Sequence, residues 1–156
     1  NSIWLNNVAL AAVLGSLGYA VGFMNLLAIQ LPIVLLSGTA GVWLFYVQHQ
    51  FEDTYWEHAK SWSHQDAAIH GSSHYDLPQP LRWLTANIGV HHVHHLSSRI
   101  PFYRLQTVLK DNPELARVGR ISIAESVKTV RLKLWDEEKQ KLVSFREAGQ
   151  PVAGRI

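Results

Sequence analysis

Four of the five residues in the run His91, His92, Val93, His94, His95 carry an imidazole, and all nine histidines of the chain lie between His49 and His95. Neutral imidazole offers a lone pair to Fe, Cu, Zn or Ni, so such a segment points first to a metal, and spacing alone does not choose which. On a helix His91, His94 and His95 stand at i, i+3 and i+4, positions that share one face and let the three rings converge. His92 points about 100 degrees round from His91 and is assigned to the outer shell or the substrate-facing side. A cluster this dense in the interior of a chain is not a terminal tag, and solvated histidines do not account for it.

The remaining histidines divide by context. His49 follows Gln48 at the end of a long apolar run, where a polar side chain costs free energy unless it faces a protein interior. It is either a further ligand or an interfacial histidine. His70 and His74 have the i, i+4 spacing of a metal pair, but Gly71, Ser72 and Ser73 between them weaken a helix there, leaving ligation, outer-shell support and a structural turn all open. His58 and His64 sit in a polar, aromatic stretch and read as surface or interfacial residues. Asp66, with Glu52 and Asp53, can orient imidazole N–H groups from an outer shell.

The elements that position these residues follow from a division in composition. Residues 1–51 contain no Asp, Glu, Lys or Arg, and every charged residue falls from Glu52 onward. A bilayer core needs about 20 apolar residues per helix, and two spans fit, near Leu5 to Val21 and from about Leu26 to His49, with GFMN at Gly22 to Asn25 as the break. Small residues of the first span, among them Gly15 and Gly18, and Gly38 and Gly41 of the second are expected to let the helices pack closely against other spans, and Pro32 to lie in the first turns of the second span. A buried hairpin of a soluble protein competes with this reading, but charge-free runs of this length are uncommon in soluble cores. Residues 1–51 are therefore expected to form two transmembrane helices of a larger bundle, and residues 52–156 a cytoplasmic region and cap. The Lys and Arg all follow the second span, which puts Glu52 onward in the cytoplasm and returns Asn1 to the same side.

Beyond the membrane, DLPQP at Asp76 to Pro80 reads as a turn or loop. Leu81 to Leu96 has helix-compatible spacing, interrupted by Pro101. Ser122 and Glu125 form a capping box opening a short helix through about Lys133, and LKLWDEEKQKLVSF reads as a small β-hairpin. The fold class is thus mainly α, a transmembrane helical hairpin followed by a helical region with a small β-hairpin near the C-terminus. The net charge of +2 is spread among acidic residues, so no basic stripe offers itself to nucleic acid. The absence of cysteine excludes disulfides, thiolate zinc sites and thiol chemistry. The opening NSIWLNN has no positive n-region, so a signal peptide is a poor account of the apolar start, and an upstream portion of the protein is expected.

The strings FYVQHQFEDTYWEH, AAIHGSSHYDLP and LRWLTANIGVHHVHHLSSRIPFYRL, together with the tail LWDEEKQKLVSF, closely resemble the C-terminal half of bacterial membrane fatty acid desaturases of the acyl-lipid omega-6 (delta-12) type. The HxxHH box is shared by many membrane di-iron oxygenases, whereas the longer strings are more specific. The resemblance implies two iron ions held mainly by histidines, O2 as co-substrate, acyl chains of membrane lipids as substrate and a ferredoxin-like electron donor. Carried over by position, His91, His94 and His95 resemble the third histidine box, and His49 the extra ligand at the end of the last membrane helix. The family's upstream HxxxH box and middle HxxHH box, which should precede this region, are not present before it, so the chain alone is expected to be inactive.

Two further readings share some of these features. A membrane di-iron hydroxylase would have the same histidine box and helices, and is separated by its product. A non-catalytic membrane metal-binding or transport protein would hold a metal without turnover.

Overall fold

The computed structural model describes residues 2–149, and the chain divides into two compact units, Asn1–Trp43 and Leu44–Ile156. In the first unit, helix α1 spans Ser2–Val21 and helix α2 starts at Phe23, running to His49 in the second unit. Both helices are long and apolar enough to cross a membrane. At 20 and 27 residues, they match or exceed the roughly 30 Å of a bilayer core at about 1.5 Å per residue. The break falls at Gly22, whose φ of +89° is open to glycine at no steric cost.

Large apolar side chains along both helices, among them Leu5, Leu10, Ile29, Leu35 and Leu36, are exposed. That exposure matches helices whose solvent is lipid or other spans of a bundle. Two of the polar side chains are satisfied by their own helix or the turn before it: Ser37 Oγ donates to the Ile33 carbonyl at 2.7 Å, and Asn25 Nδ2 to the Val21 carbonyl at 2.8 Å. One expectation changes. Because α2 starts at Phe23, Pro32 lies well inside it and interrupts the hydrogen-bond ladder, not in the first turns. Of the expected close-packing glycines, Gly18 is buried and packs against the Phe23 ring, where a Cβ has no room, whereas Gly15, Gly38 and Gly41 meet nothing within 4 Å among the described residues.

The second unit begins with the last turns of α2 and continues through α3 (His64–His70), β1 (His74–Asp76), α4 (Gln79–Leu84), α5 (His91–Leu96), α6 (Leu105–Asp111), β2 (Arg120–Ser122), α7 (Ile123–Thr129), β3 (Leu132–Asp136), β4 (Lys141–Ser144) and α8 (Phe145–Ala148). Its apolar core is Val90 and Val93 against Leu105 and Leu109, with Ile100, Val108 and Leu115 packed around them. The core therefore fixes one face of α5, the helix that carries the histidine run.

The Leu81–Leu96 segment is two helices, not one. Ala86 and Asn87 adopt φ of +51° and +55°, which ends α4, and Asn87 donates its side-chain amide to the Phe102 carbonyl at 3.2 Å. Asn is among the residues that tolerate this left-handed region. Gly89 then presses its Cα against the Tyr75 carbonyl, where a Cβ has no room, and Val90 bridges to His74. The loop expected at DLPQP is present but short: Asp76 closes β1, Leu77 and Pro78 connect, and Pro80 sits in the first turn of α4.

The Ser122 capping box is present, with Glu125 N–H donating to Ser122 Oγ at 3.3 Å and Ser122 N–H to Glu125 Oε2 at 2.8 Å. The helix it opens ends at Thr129, short of Lys133. Strands β3 and β4 form the expected antiparallel hairpin, pairing Leu134 with Val143 and Trp135 with Leu142. The parallel pairing of β1 with β2, His74 beside Arg120 and Asp76 beside Ser122, has no counterpart in the sequence reading.

Candidate metal centre

His49 ends α2, and its ring is oriented by its own helix: Nδ1 lies 2.8 Å from the carbonyl of Phe45, one turn back. A carbonyl only accepts, so Nδ1 carries the proton and Nε2 of the neutral ring presents a lone pair. His91 and His95 stand one turn apart on α5, and their Nε2 atoms are 3.1 Å from each other. His95 Nε2 is also 3.1 Å from His49 Nε2, across 46 residues of sequence. One ligand nitrogen from each of the three rings lies within 4.8 Å of the others. His91 is buried, His49 half-buried and His95 exposed, so the focus opens on one side.

The donor set fits a cation. With His49 Nε2 unprotonated, His95 Nε2 faces two imidazole nitrogens at hydrogen-bonding distance, and among neutral rings only one of those approaches can be an N–H···N bond. A metal at the focus would accept all three lone pairs together, which is the donor chemistry of histidine-rich iron, copper or zinc sites.

Burial keeps the rings neutral. The His91 imidazole is pushed down to about 3, first by desolvation and then by His49, His95 and His94 around it. His92 falls to about 4, again mainly through burial, with His74 adding to it. His95 is lowered by partial burial and by His49. His74 is lowered by burial, and Asp76 offsets part of this. At neutral pH no proton needs to leave His91 or His95 before a metal binds.

The other residues singled out from the sequence take different positions. His94 is half-buried and stacked on His91, ring centroids 5.6 Å apart, and is not in the converging group. His92 is fully buried, with Nε2 2.9 Å from the Leu115 carbonyl and its ring 5.8 Å from that of His74. His92 and His74 thus tie α5 and β1 to the segment around Leu115. His70 is exposed at the end of α3 and lines a cleft of about 650 Å³ with Arg117, Arg120 and Lys128, a cleft to which the three converging histidines do not contribute. Asp66 is exposed in the first turn of α3, its N–H capped by Ser63. His58 and His64 are exposed beside Trp56 and Trp62. Sequence reasoning missed the Phe45 carbonyl as the group that fixes the His49 tautomer, although i−4 placement in a helix would have pointed to it.

A family model described as "Fatty acid desaturase" matches residues 1–124. The chain is 46% identical over 143 residues to a "Fatty acid desaturase" of Bacillus subtilis (strain 168), covering 92% of this chain and 41% of that protein. It is 36% identical over 69 residues to "sn-1 oleoyl-lipid 12-desaturase" of Synechocystis sp., covering 42% of this chain and 20% of that protein. To "Omega-6 fatty acid desaturase, chloroplastic" of Glycine max it is 34% identical over 58 residues, 37% of this chain and 14% of that protein. The chain spans less than half the length of these relatives, and no solved structure matches it.

Proposed function

The chain belongs to the fatty acid desaturase family, and from that premise we propose that it supplies part of a histidine-ligated di-iron centre which, in the full-length protein, introduces a double bond into an acyl chain of a membrane lipid with O2 as co-substrate. The observation that carries this reading is the convergence of His49, His91 and His95 from two separate elements onto one focus. These three would hold one iron. His94, stacked on His91 and not turned into the group, is left to the second iron, whose remaining ligands are histidines of the upstream HxxxH and HxxHH boxes.

Bound iron supplies the O2-derived oxidising power that hydrogen removal from an unactivated methylene pair demands. The chain's own groups hold the ligands in the binding form. The Phe45 carbonyl keeps the His49 proton on Nδ1, and burial keeps His91 unprotonated. Residues 1–51 form the membrane part and residues 52–156 the cytoplasmic cap, with a ferredoxin-like protein delivering electrons from that side. The name of the Synechocystis relative favours a lipid-linked oleoyl chain as substrate and delta-12 as the position of the new bond, and that of the Glycine max relative an omega-6 position.

The test is the fatty acid profile of a host whose lipids are monounsaturated and which expresses the full-length protein. A dienoic chain with its second bond at delta-12 is the expected product. His94→Ala is expected to abolish it while membrane insertion is unchanged. Hydroxylated lipid with no new unsaturation would overturn the desaturase reading, and full activity in the His94 variant would remove that residue from the ligand set.

A further inference from the structure

His49 stands at the end of a membrane-length helix, whereas His91 and His95 share a short helix that begins only after the left-handed break at Ala86 and Asn87. Local chain order does not bring them together, so some contact must hold the two helices in register. Gln48 is only 1% exposed. Its Nε2 donates to the Ile88 carbonyl at 2.9 Å, three residues before His91. Ser73 joins the same helix end by a second route. Its N–H donates to the Gln48 carbonyl at 2.9 Å and its hydroxyl to the Val47 carbonyl at 3.3 Å.

Those two carbonyls lie in the last turn of α2, where the helix itself provides no donor. From Ser73 the chain passes directly into β1, where the Tyr75 N–H donates to the Gly89 carbonyl at 2.8 Å and His74 bridges to Val90. Both routes run from the last turn of α2 to residues 88–90, and both stop just before the helix that carries His91 and His95. Burying an amide costs free energy that an apolar side chain of the same size would not, and a directed hydrogen bond is what the amide adds.

We propose that Gln48 and Ser73 are positioning residues of the metal centre, a buried clamp that sets the separation of His49 from His91 and His95. The proposal rests on the metal reading of those three histidines. Ligand sites need their donors held to within about 0.5 Å, and loss of an outer partner commonly weakens metal binding about 10- to 100-fold.

The experiment measures iron(II) affinity by equilibrium dialysis on the full-length protein purified in detergent, for the wild type, Gln48→Met, Ser73→Ala, His95→Ala and the Gln48→Met/His95→Ala double variant. Loss of the iron held by the triad is expected in His95→Ala. Gln48→Met is expected to weaken that iron about tenfold or more, with Ser73→Ala acting in the same direction by less. In the His95→Ala background Gln48→Met should add nothing, because its effect passes through the triad.

Unchanged affinity in both Gln48→Met and Ser73→Ala, with the His95 effect intact, overturns the clamp and leaves the metal reading standing. An equal loss from Gln48→Met with or without His95 also overturns it, since that marks a general loosening of the fold. Iron binding indifferent to His95→Ala overturns the metal reading and the clamp with it. Should Gln48→Met fail to fold, Ser73→Ala combined with His95→Ala makes the same comparison with the loss of a single oxygen.

Discussion

A buried imidazole that is to accept a metal must be neutral beforehand, and in this protein burial enforces that without a carboxylate partner for His91 or His92. A consequence follows for stability. Unfolded, each ring takes up a proton as pH falls below its ordinary value near 6.5, whereas folded His91 and His92 stay unprotonated to about 3 and about 4. The unfolded state therefore binds more protons through this window, and stability falls as pH drops from 6.5 toward 4, by at most about 1.4 kcal/mol per pH unit for each group. Above pH 6.5 these two groups contribute no slope. Thermal unfolding of the metal-free protein between pH 7.5 and 5 measures this, and His92→Gln, whose amide can still reach the Leu115 carbonyl, is expected to have a shallower slope. An identical slope would show that His92 does not titrate as its burial dictates. Of the ligand geometry, the facing of His91 and His95 was legible because one helical turn imposes it. Whether His49 joined them was not, because that depends on the tertiary register of two elements. His94 was grouped with them on spacing, and the structure stacks it on His91 outside the focus, because an i, i+3 step leaves its ring turned aside from the i, i+4 pair.

At the scale of elements, two substitutions separate support of the fold from support of the site. Ser122→Ala removes the hydroxyl that accepts from Glu125 N–H in α7, and loss of such a cap costs about 1 kcal/mol. Iron affinity should be unchanged, because α7 carries none of the converging histidines. Gly89→Ala drives a methyl into the Tyr75 carbonyl at the approach to α5, where overpacking costs about 1–3 kcal/mol. It should weaken iron binding as well, since the backbone can relieve the clash only by moving the start of the helix that bears His91. Paired measurements of melting temperature and iron content check both, and a Gly89→Ala protein with full iron content would mean that α5 is set by its core face alone. The capping box, the hairpin and both long apolar helices were readable because each has a local signature: a Ser and Glu three residues apart, two strands around a charged turn, and unbroken apolar runs. The β1–β2 pair was not readable. Its strands have three residues each, too few for a period, and they lie 44 residues apart. The break between α4 and α5 was hidden for a related reason, since Ala86 and Asn87 fit a helical pattern and the contacts that accompany the turn, Asn87 with Phe102 and Gly89 with Tyr75, are tertiary.

Across the whole molecule, charge divides the chain: an unbroken charge-free stretch through Phe51, then all the Lys, Arg, Asp and Glu. A charged side chain at the centre of a bilayer costs at least about 2.5 kcal/mol on insertion scales, and the exposed faces of α1 and α2 carry none. Cytoplasmic loops retain the excess of Lys and Arg, and the proposed orientation, with Glu52 onward on that side and the α1–α2 turn on the other, is open to a direct test. The sequence contains no cysteine, so single introduced thiols report topology cleanly once cysteines elsewhere in the full-length protein are replaced. Met24 and Ser61 are both exposed, one beside the α1–α2 turn and the other in the segment before α3. In spheroplasts of a bacterial host, Met24→Cys is expected to react with a membrane-impermeant maleimide added outside, and Ser61→Cys only after permeabilisation. The reverse pattern would put the histidine centre outside the cell, away from any cytoplasmic electron donor. Labelling of both positions from outside would mean that α2 does not cross the bilayer, and an oxidising centre at His49 would then have no membrane interior from which to draw an acyl chain.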